Sequence, residues 1–313
     1  IIDPHLHLFD VMQGEYCWLK ADNPPFWPDK ALINRTFTVE DLCFDDGFST
    51  PDFSMKGFVH IEAGFDNAKP WRELAYLEQS TSKNNTLMRT IAGLDLSLPP
   101  ATFTEQLVKC QAYKSFVGIR HILDGQGLKV LSSESAKLNM KKLDETELIF
   151  EVQISFHCES ENTEIIQSTN LGILALIEHI KSNTNTHFII NHSGLAPTSS
   201  SDSPTSAWLQ WLNNLASIAA FPNVFLKFSG AEMSNRKYQQ QWLNQVLLEC
   251  ITLFGTQRIM LASNFPLCLF SQASYQNYWL MLFNLAVFKS LSKEQKKALS
   301  HDNAFRLYKF SNK

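Results

Sequence analysis

The sequence begins with IIDPHLHLFD (residues 1–10), in which two histidines, His5 and His7, are separated by one residue. The alternation of apolar and polar residues is typical of a β-strand, where side chains two positions apart point to the same side. We therefore expect Asp3, His5 and His7 to share one face. Neutral imidazole nitrogens bind zinc and other transition metals, so two rings on one face can contribute to a metal site. Further ligands would have to come from elsewhere in the chain.

Apolar segments with the pattern of β-strands recur along the whole chain, and helical patterns lie between them. The predicted strands cover residues 1–8, 56–62, 90–96, 116–123, 148–157, 187–192, 224–230 and 258–264. Strands that alternate with helices form parallel sheets, and eight such units in about 300 residues are typical of a (β/α)8 barrel. The motif G-x-G-x-x-G, which indicates a dinucleotide fold, is absent from the sequence. We predict a single α/β domain, a TIM barrel that spans residues 1–313.

Two segments interrupt the alternation of strands and helices. Residues 9–55 are long for a loop and contain the aromatic residues Tyr16, Trp18, Phe26 and Trp27. Such loops usually serve function, and one that follows a barrel strand leaves from the face that carries the active site. We predict that this insertion lies near the barrel mouth and that its aromatic side chains wall a pocket. The small, polar stretch TSSSDSPTS (198–206) is predicted to be a second loop.

The composition excludes several classes of protein. The 313 residues are 44% hydrophobic and 19% charged, with a net charge of −4 and no basic block, so nucleic acid is not an expected partner. No apolar run approaches the roughly 18 residues of a membrane span, and no leader peptide is visible. Six cysteines without C-x-x-C spacing indicate reduced thiols and a cytoplasmic protein. A small-molecule substrate is the expected partner, and the oligomeric state, a homo-oligomer included, stays open.

Polar residues that can carry chemistry gather at the carboxyl ends of the predicted strands, where TIM barrels build their active sites. In chain order, they are His5, His7, His60, Glu62, Arg120, His157, His192 and Asn264. Because these strand ends meet at one rim, we expect a histidine-rich pocket there. Arg120 is either a structural ion-pair partner at the barrel rim or a planar clamp for a substrate carboxylate, the usual role of arginine in a site. Acidic, hydroxylated substrates suit this polar, histidine-rich mouth.

Several motifs resemble those of the amidohydrolase superfamily, in particular its amidohydrolase-related group, which includes sugar-acid lactonases and TIM-barrel metal-dependent hydrolases. In order along nearly the whole chain, the motifs are IIDPHLHLFD with a following Trp18, VHIEAG, GIRH, NHSG, PNVFLKFSG, RIMLASNFP and HDNAFRLY. The resemblance implies one divalent metal ion, zinc most of all, held by His5, His7 and His192. It also implies a strand-eight aspartate that acts as general base toward water.

This chain departs from the family pattern at strand eight, where Ser263-Asn264-Phe265-Pro266 replaces S-D-x-P. An amide cannot take a proton at neutral pH and is a poorer metal ligand than a carboxylate. We therefore expect the metal to be weakly bound or absent. Glu62 or His157 would then take the proton from the attacking water, and Asn264 would lie with them in the catalytic centre.

The resemblance predicts a hydrolase of a small ester-like substrate, most of all a sugar lactone, attacked by water with the help of a metal or a base. His60, Arg120 and Trp18 are the predicted substrate-binding residues. Two alternatives stay open at this point. One is a metal-dependent decarboxylase on the same fold, and the other is a barrel with little or no activity that binds a small acid.

Overall fold

A computed structural model describes residues 1–42, 54–82, 86–160, 162–198 and 205–311. Eight parallel strands form one sheet in sequential order, each paired with the next. They are β1 (Ile2–Leu6), β2 (Gly57–Ile61), β3 (Leu87–Gly93), β4 (Phe116–Ile122), β5 (Ile149–Gln153), β6 (Phe188–Ile190), β7 (Val224–Phe228) and β8 (Ile259–Leu261). Just beyond β8, the Asn264 amide donates to the His5 carbonyl at 2.9 Å and the His7 amide donates to the Phe265 carbonyl at 2.7 Å. These bonds bring the end of β8 to β1, so the predicted TIM barrel is confirmed.

Helices connect the strands and cover the outside of the barrel. They are α1 (Trp71–Ser80), α2 (Pro100–Gln111), α3 (Gly127–Leu131), α4 (Glu134–Glu145), α5 (Thr163–Ser182), α6 (Ser206–Ala219), α7 (Ala231–Ser234), α8 (Gln240–Phe254), α9 (Tyr275–Asn284), α10 (Ala286–Ser290), α11 (Lys293–Lys297) and α12 (Asn303–Leu307). Several start at side-chain caps, since Ser133, Asn162 and Ser274 each accept a hydrogen bond from a backbone amide of the first turn. In the described part of the chain, no helix is both long enough and apolar enough to cross a membrane.

The interior of the barrel changes from apolar at its amino-terminal end to polar at its carboxyl end. The apolar layer consists of buried side chains from the strands and from the chain end: Ile2, Val59, Ile61, Ile91, Ile149, Ile189, Phe225, Met260, Leu307 and Tyr308. Burying one aliphatic side chain contributes roughly 1.5–3 kcal/mol, so this layer anchors the barrel. The polar residues above the layer lie at the strand ends, where the chain can present them to a ligand.

The described part of the insertion, residues 9–42, packs on the carboxyl end of the barrel. Phe9 and Phe37 exchange backbone hydrogen bonds and both side chains are fully buried. The amides of Glu15 and Tyr16 donate to the carbonyls of Phe65 and Gly64, in the connection between β2 and α1. Residues 43–53 of the predicted insertion and most of the second predicted loop lie outside the described residues.

Seven of the eight predicted strands are shorter in the structure than in the sequence pattern, and the third, Leu87–Gly93, lies three residues earlier than predicted. The fifth ends at Gln153 rather than at residue 157, the sixth at Ile190 rather than 192, and the eighth at Leu261 rather than 264. His157, His192 and Asn264 are therefore loop residues, and their directions are set by turns instead of by the period of a strand. His192 and Asn264 have φ angles of +53° and +55°, which turn the chain sharply at the end of each strand.

Candidate active site

Three imidazole rings converge at the carboxyl end of the barrel. The ring centroids of His5 and His7 are 5.1 Å apart, and those of His5 and His192 are 4.6 Å apart. Burial, together with nearby cations, lowers the pKa of each ring well below its ordinary value. All three rings are therefore neutral near pH 7, and each offers one nitrogen lone pair.

The protein fixes the tautomer of His7 and leaves one nitrogen of His5 free. Nδ1 of His7 donates to the carbonyl of Ile61 at 2.8 Å, so Nε2 carries the lone pair. Such a bond to a backbone carbonyl commonly orients histidines that bind metals. Nε2 of His5 is buried and has no hydrogen-bond partner among the described residues. Lys227 Nζ lies 3.4 Å from Nδ1 of His5, and burial lowers the pKa of Lys227 to about 8.

His192 is held in a left-handed turn that depends on a glycine. His192 and Ser193 both have φ of +53°, a conformation that is strained for residues with side chains. Nδ1 of His192 contacts Ser229 Oγ at 3.0 Å, which leaves Nε2 for the pocket. Gly230 lies against the ring, and a Cβ atom at this position would be 2.3 Å from His192 Nδ1. Only glycine leaves room for the ring in this place.

Arg120 and Glu62 form an ion pair at the pocket. Arg120 Nε donates to Glu62 Oε1 at 2.9 Å, and NH2 reaches the same oxygen at 2.6 Å and the Glu62 carbonyl at 2.9 Å. Both contacts to the carboxylate use Oε1, which leaves Oε2 for the pocket. Burial raises the pKa of Glu62, although Arg120 opposes the shift. The positive charge of Arg120 is therefore neutralised by the protein, which argues against the substrate carboxylate that the sequence suggested.

Asn264 is paired with a carboxylate that the sequence analysis did not single out. Asn264 Nδ2 donates to Glu232 Oε1 at 2.6 Å, and both side chains are buried. The Asn264 side chain also hydrogen-bonds His7. Burial raises the pKa of Glu232 to about 7, while the hydrogen bond from Asn264 lowers it. Glu232 follows the end of β7 in the segment SGAEMS, so its place just past a strand end was the available signal.

A second buried ion pair lies beneath the histidines. Lys227 Nζ is 2.5 Å from Glu151 Oε2, and both side chains are fully buried. Tyr308 Oη donates to Glu151 Oε1 at 2.6 Å, and Asn191 Nδ2 donates to Oε2 at 2.8 Å. The carboxylate is thus satisfied on both oxygens. The sequence predicted no partner for Lys227, because Glu151 comes from a strand on another side of the barrel.

A cavity of about 380 Å³ opens above these groups. Its polar lining includes His7, Glu62, Arg120, His192 and Asn264, and its apolar lining includes Trp18, Pro25, Trp27, Ile122, Met233 and Leu267. Trp18 is fixed by a 2.7 Å hydrogen bond from Nε1 to the Ala63 carbonyl. The structure thus places two tryptophans of the insertion in the pocket wall, whereas Tyr16 is buried and Phe26 is exposed to solvent.

Two residues of the predicted site, His60 and His157, lie away from the cavity, and a third, His5, is fully buried beside His7 and His192 without lining it. His60 accepts a hydrogen bond from the Leu8 amide at Nδ1 and contacts Glu73 Oε1 through Nε2 at 2.9 Å. Neither nitrogen of His60 is left for a substrate. His157 lies past the end of β5, where Nε2 contacts Glu159 at 3.1 Å, and it is not part of the cavity lining. The structure therefore brings together the other predicted site residues and separates His60 and His157 from them.

The donor atoms at the cavity fit a metal ion by type. The lone pair of His7, the unpartnered Nε2 of His5 and the pocket-facing ring of His192 suit a borderline ion such as zinc, for which three histidines are a known catalytic set. The rings are not arranged as a finished site, because no group of three or more His, Cys, Asp or Glu side chains in the described ranges is placed to hold an ion.

Comparisons with known proteins agree with the fold. An uncharacterized protein, y4mH, of Sinorhizobium fredii (strain NBRC 101917 / NGR234) is 28% identical over 320 residues, which cover 99% of this chain and 98% of that protein. An amidohydrolase from Burkholderia multivorans, crystallised with bound zinc, has the same fold, with 18% identity, 98% coverage of both chains and a TM-score of 0.74. A proposed 2-pyrone-4,6-dicarboxylic acid hydrolase from Pseudomonas putida is 17% identical, covers 100% of this chain and 98% of its own, and gives a TM-score of 0.66. The model of the amidohydrolase family matches residues 2–310, and the chain therefore belongs to the amidohydrolase family.

Proposed function

We propose that this protein hydrolyses a small, uncharged, hydroxylated lactone, most of all a sugar lactone. The observation that carries the proposal is the pairing of Arg120 with Glu62 in a cavity walled by two tryptophans. A paired guanidinium offers hydrogen bonds but little net charge, so it suits a neutral carbonyl or hydroxyl better than a free carboxylate. Aromatic walls suit the apolar face of a ring.

Glu62 serves as the general base in this proposal. Its Oε2 is the carboxylate oxygen that Arg120 leaves for the pocket, and its raised pKa makes it a better proton acceptor than an exposed glutamate. Oε2 takes a proton from water while the oxygen of that water attacks the carbonyl carbon. Arg120 NH1 then donates to the oxygen on which negative charge develops. When the carbonyl re-forms, the C–O bond of the lactone ring breaks, and the leaving alkoxide takes the proton from Glu62, which restores the carboxylate and opens the ring to the hydroxy acid. His157 has no part in this step, because its ring lies outside the cavity lining.

His5, His7 and His192 are the residues that would hold a divalent ion, and we propose zinc. A bound ion would polarise the carbonyl and lower the pKa of water. His7 and His192 present neutral rings to the cavity, where a nitrogen of each can accept a hydrogen bond from water or from a substrate hydroxyl.

Steady-state kinetics on a panel of lactones tests the proposal, with acid release followed in a pH-stat. We expect turnover of neutral sugar lactones. For analogues that carry a free carboxylate, kcat/KM should be lower by a factor of about ten or more, and a factor of ten corresponds to about 1.4 kcal/mol. Glu62→Gln should lower kcat by roughly 10²–10⁴-fold, as the loss of a general base does. Asp66→Asn is the matched control, because Asp66 pairs with Arg72 at 2.7 Å but does not line the cavity.

Three outcomes would contradict the proposal. Release of carbon dioxide instead of acid would indicate the decarboxylase, and binding without turnover would indicate a protein that only binds its ligand. A Glu62→Gln variant with the parent rate would remove Glu62 as the base. Metal analysis of the purified protein and of His7→Ala then shows whether zinc is held by the three histidines.

A further inference from the structure

Asn264 is held so firmly that its side-chain amide has few ways to point. The backbone amide of Asn264 donates to the His5 carbonyl at 2.9 Å, and the backbone carbonyl of Asn264 accepts from the Leu267 amide at 2.8 Å. The residue is 1% exposed and has a φ of +55°, which asparagine tolerates better than most residues do. The remaining freedom is the exchange of Oδ1 and Nδ2 by a flip of the amide.

Glu232 decides the direction of that flip. In the structure, Nδ2 of Asn264 faces Glu232 Oε1, which is the orientation that the ionised form of Glu232 requires because a carboxylate only accepts hydrogen bonds. The 2.6 Å distance to Glu232 Oε1 is typical of a strong, charge-assisted bond. Asn264 also lines the cavity, and Oδ1 is the amide atom that the bond to Glu232 leaves unused. Oε2 of Glu232 has no hydrogen-bond partner among the described residues. The carboxylate therefore interacts with Asn264 through Oε1.

We propose that Glu232 is a positioning residue that fixes the Asn264 amide, so that Oδ1 faces the cavity and accepts a hydrogen bond from the attacking water. This inference rests on the proposed function, in which Glu62 takes the proton of that water. Asn264 orients the water and Glu62 deprotonates it. Glu232 itself does not touch the substrate, since it is fully buried behind Asn264.

A double-mutant cycle tests the assignment by placing an amide at position 232 and a carboxylate at position 264, singly and together. Glu232→Gln keeps the shape but can either donate or accept, so the amide of Asn264 is no longer forced to one side. We expect kcat to fall about tenfold with KM changed by no more than about twofold, as for the loss of one oriented hydrogen bond.

The double variant Glu232→Gln/Asn264→Asp restores a one-way bond, in which the introduced glutamine amide donates to the introduced carboxylate. It should bring kcat back to within about threefold of the parent, because the two substitutions act on one hydrogen bond. A variant Glu232→Gln with the parent kcat, or a loss that the double variant fails to repair, would overturn the proposal.

A second measurement does not depend on turnover. In protein labelled with ¹⁵N-asparagine, one Asn264 side-chain proton should lie downfield because it is bonded to a carboxylate, and its signal is assigned by its absence in Asn264→Asp. It should move upfield in Glu232→Gln, while the signals of Asn139 stay in place, since Asn139 Nδ2 donates to the carbonyls of Leu96 and Leu98 at 3.0 and 2.8 Å. If the parent hydrolyses no lactone, the proposed function fails, yet the amide signal still decides the orientation. An Asn264 signal that Glu232→Gln leaves unmoved would refute it.

Discussion

Gly230→Ala is expected to disable the site by moving one ring. The new Cβ would lie 2.3 Å from Nδ1 and 2.5 Å from Cγ of His192, whereas ordinary contacts begin at 3.4 Å. The ring must therefore move by about 1 Å, which breaks the 3.0 Å contact between its Nδ1 and Ser229 Oγ. Backbone strain adds to the effect, because Gly230 has φ +70° and ψ +20°.

The expected magnitudes follow from these two effects. A left-handed alanine costs about 1–2 kcal/mol, and forced overpacking costs about 1–3 kcal/mol, so the free energy of unfolding should fall by roughly 2–5 kcal/mol. A displacement of about 1 Å in a catalytic group can lower the rate about 10²-fold. We therefore expect kcat/KM on the best lactone to fall by about two orders of magnitude in protein that is still folded.

Gly255→Ala is a control that distinguishes the effect of backbone strain from the effect of the close contact between Cβ and the His192 ring. Gly255 also has a positive φ, +66°, but a Cβ there would meet no heavy atom within 4 Å. Urea unfolding should show a loss of about 1–3 kcal/mol for this control, with kcat/KM unchanged. A crystal structure of Gly230→Ala should show the displaced His192 ring. If the ring stays in place and the activity equals that of the parent, the reasoning about Gly230 is refuted.

Three further predictions follow from the buried charges and the pocket wall. Lys227→Met should lower the free energy of unfolding by about 3–5 kcal/mol in urea, because Glu151 is left as an unpaired buried charge, and adding Glu151→Gln should recover most of that loss. Trp27→Ala should raise KM for cyclic substrates several-fold with little change in kcat, measured on the same lactone panel. Burial raises the pKa of Glu73 from 4.5 to about 7, so the stability that this group contributes is full below pH 4.5 and is lost as the pH rises through 7. Relative to Glu73→Gln, the parent should therefore lose up to about 3 kcal/mol between about pH 4.5 and pH 8 in unfolding experiments, and equal pH dependence would contradict this.

The barrel could be predicted from the sequence because its signals are local. Each strand is a short apolar run, and each helix has its own amphipathic pattern, so neither requires knowledge of distant residues. The convergence of His5, His7 and His192 also follows from the fold, since the carboxyl ends of parallel strands share one rim. The ends of the strands are harder to predict. β5 stops at Gln153 although residues 154–157 still alternate, and His157 consequently turns away from the cavity.

The partners of the charged residues could not be predicted, because each pair joins separate parts of the chain. Arg120 on β4 reaches Glu62 after β2, and His60 on β2 is held by Glu73 from the first turn of α1. A polar residue at a strand end looks available for a substrate in the sequence, yet the fold can give it an internal partner. For this reason the sequence pattern assigns His60 to substrate and leaves Arg120 open between a substrate carboxylate and an internal ion pair, whereas the structure pairs both within the protein.

The same pairing changes what should be expected from restoring an aspartate at position 264. The sequence alone suggests that Asn264→Asp supplies a missing ligand and base. In the structure, the new carboxylate would lie about as close to Glu232 as the present amide does, at 2.6 Å. Two buried carboxylates at this distance cannot both ionise, so one would keep its proton and the pair would share a single charge. Asn264→Asp should therefore gain metal affinity only together with Glu232→Gln, which removes the competing charge and keeps a donor for the aspartate.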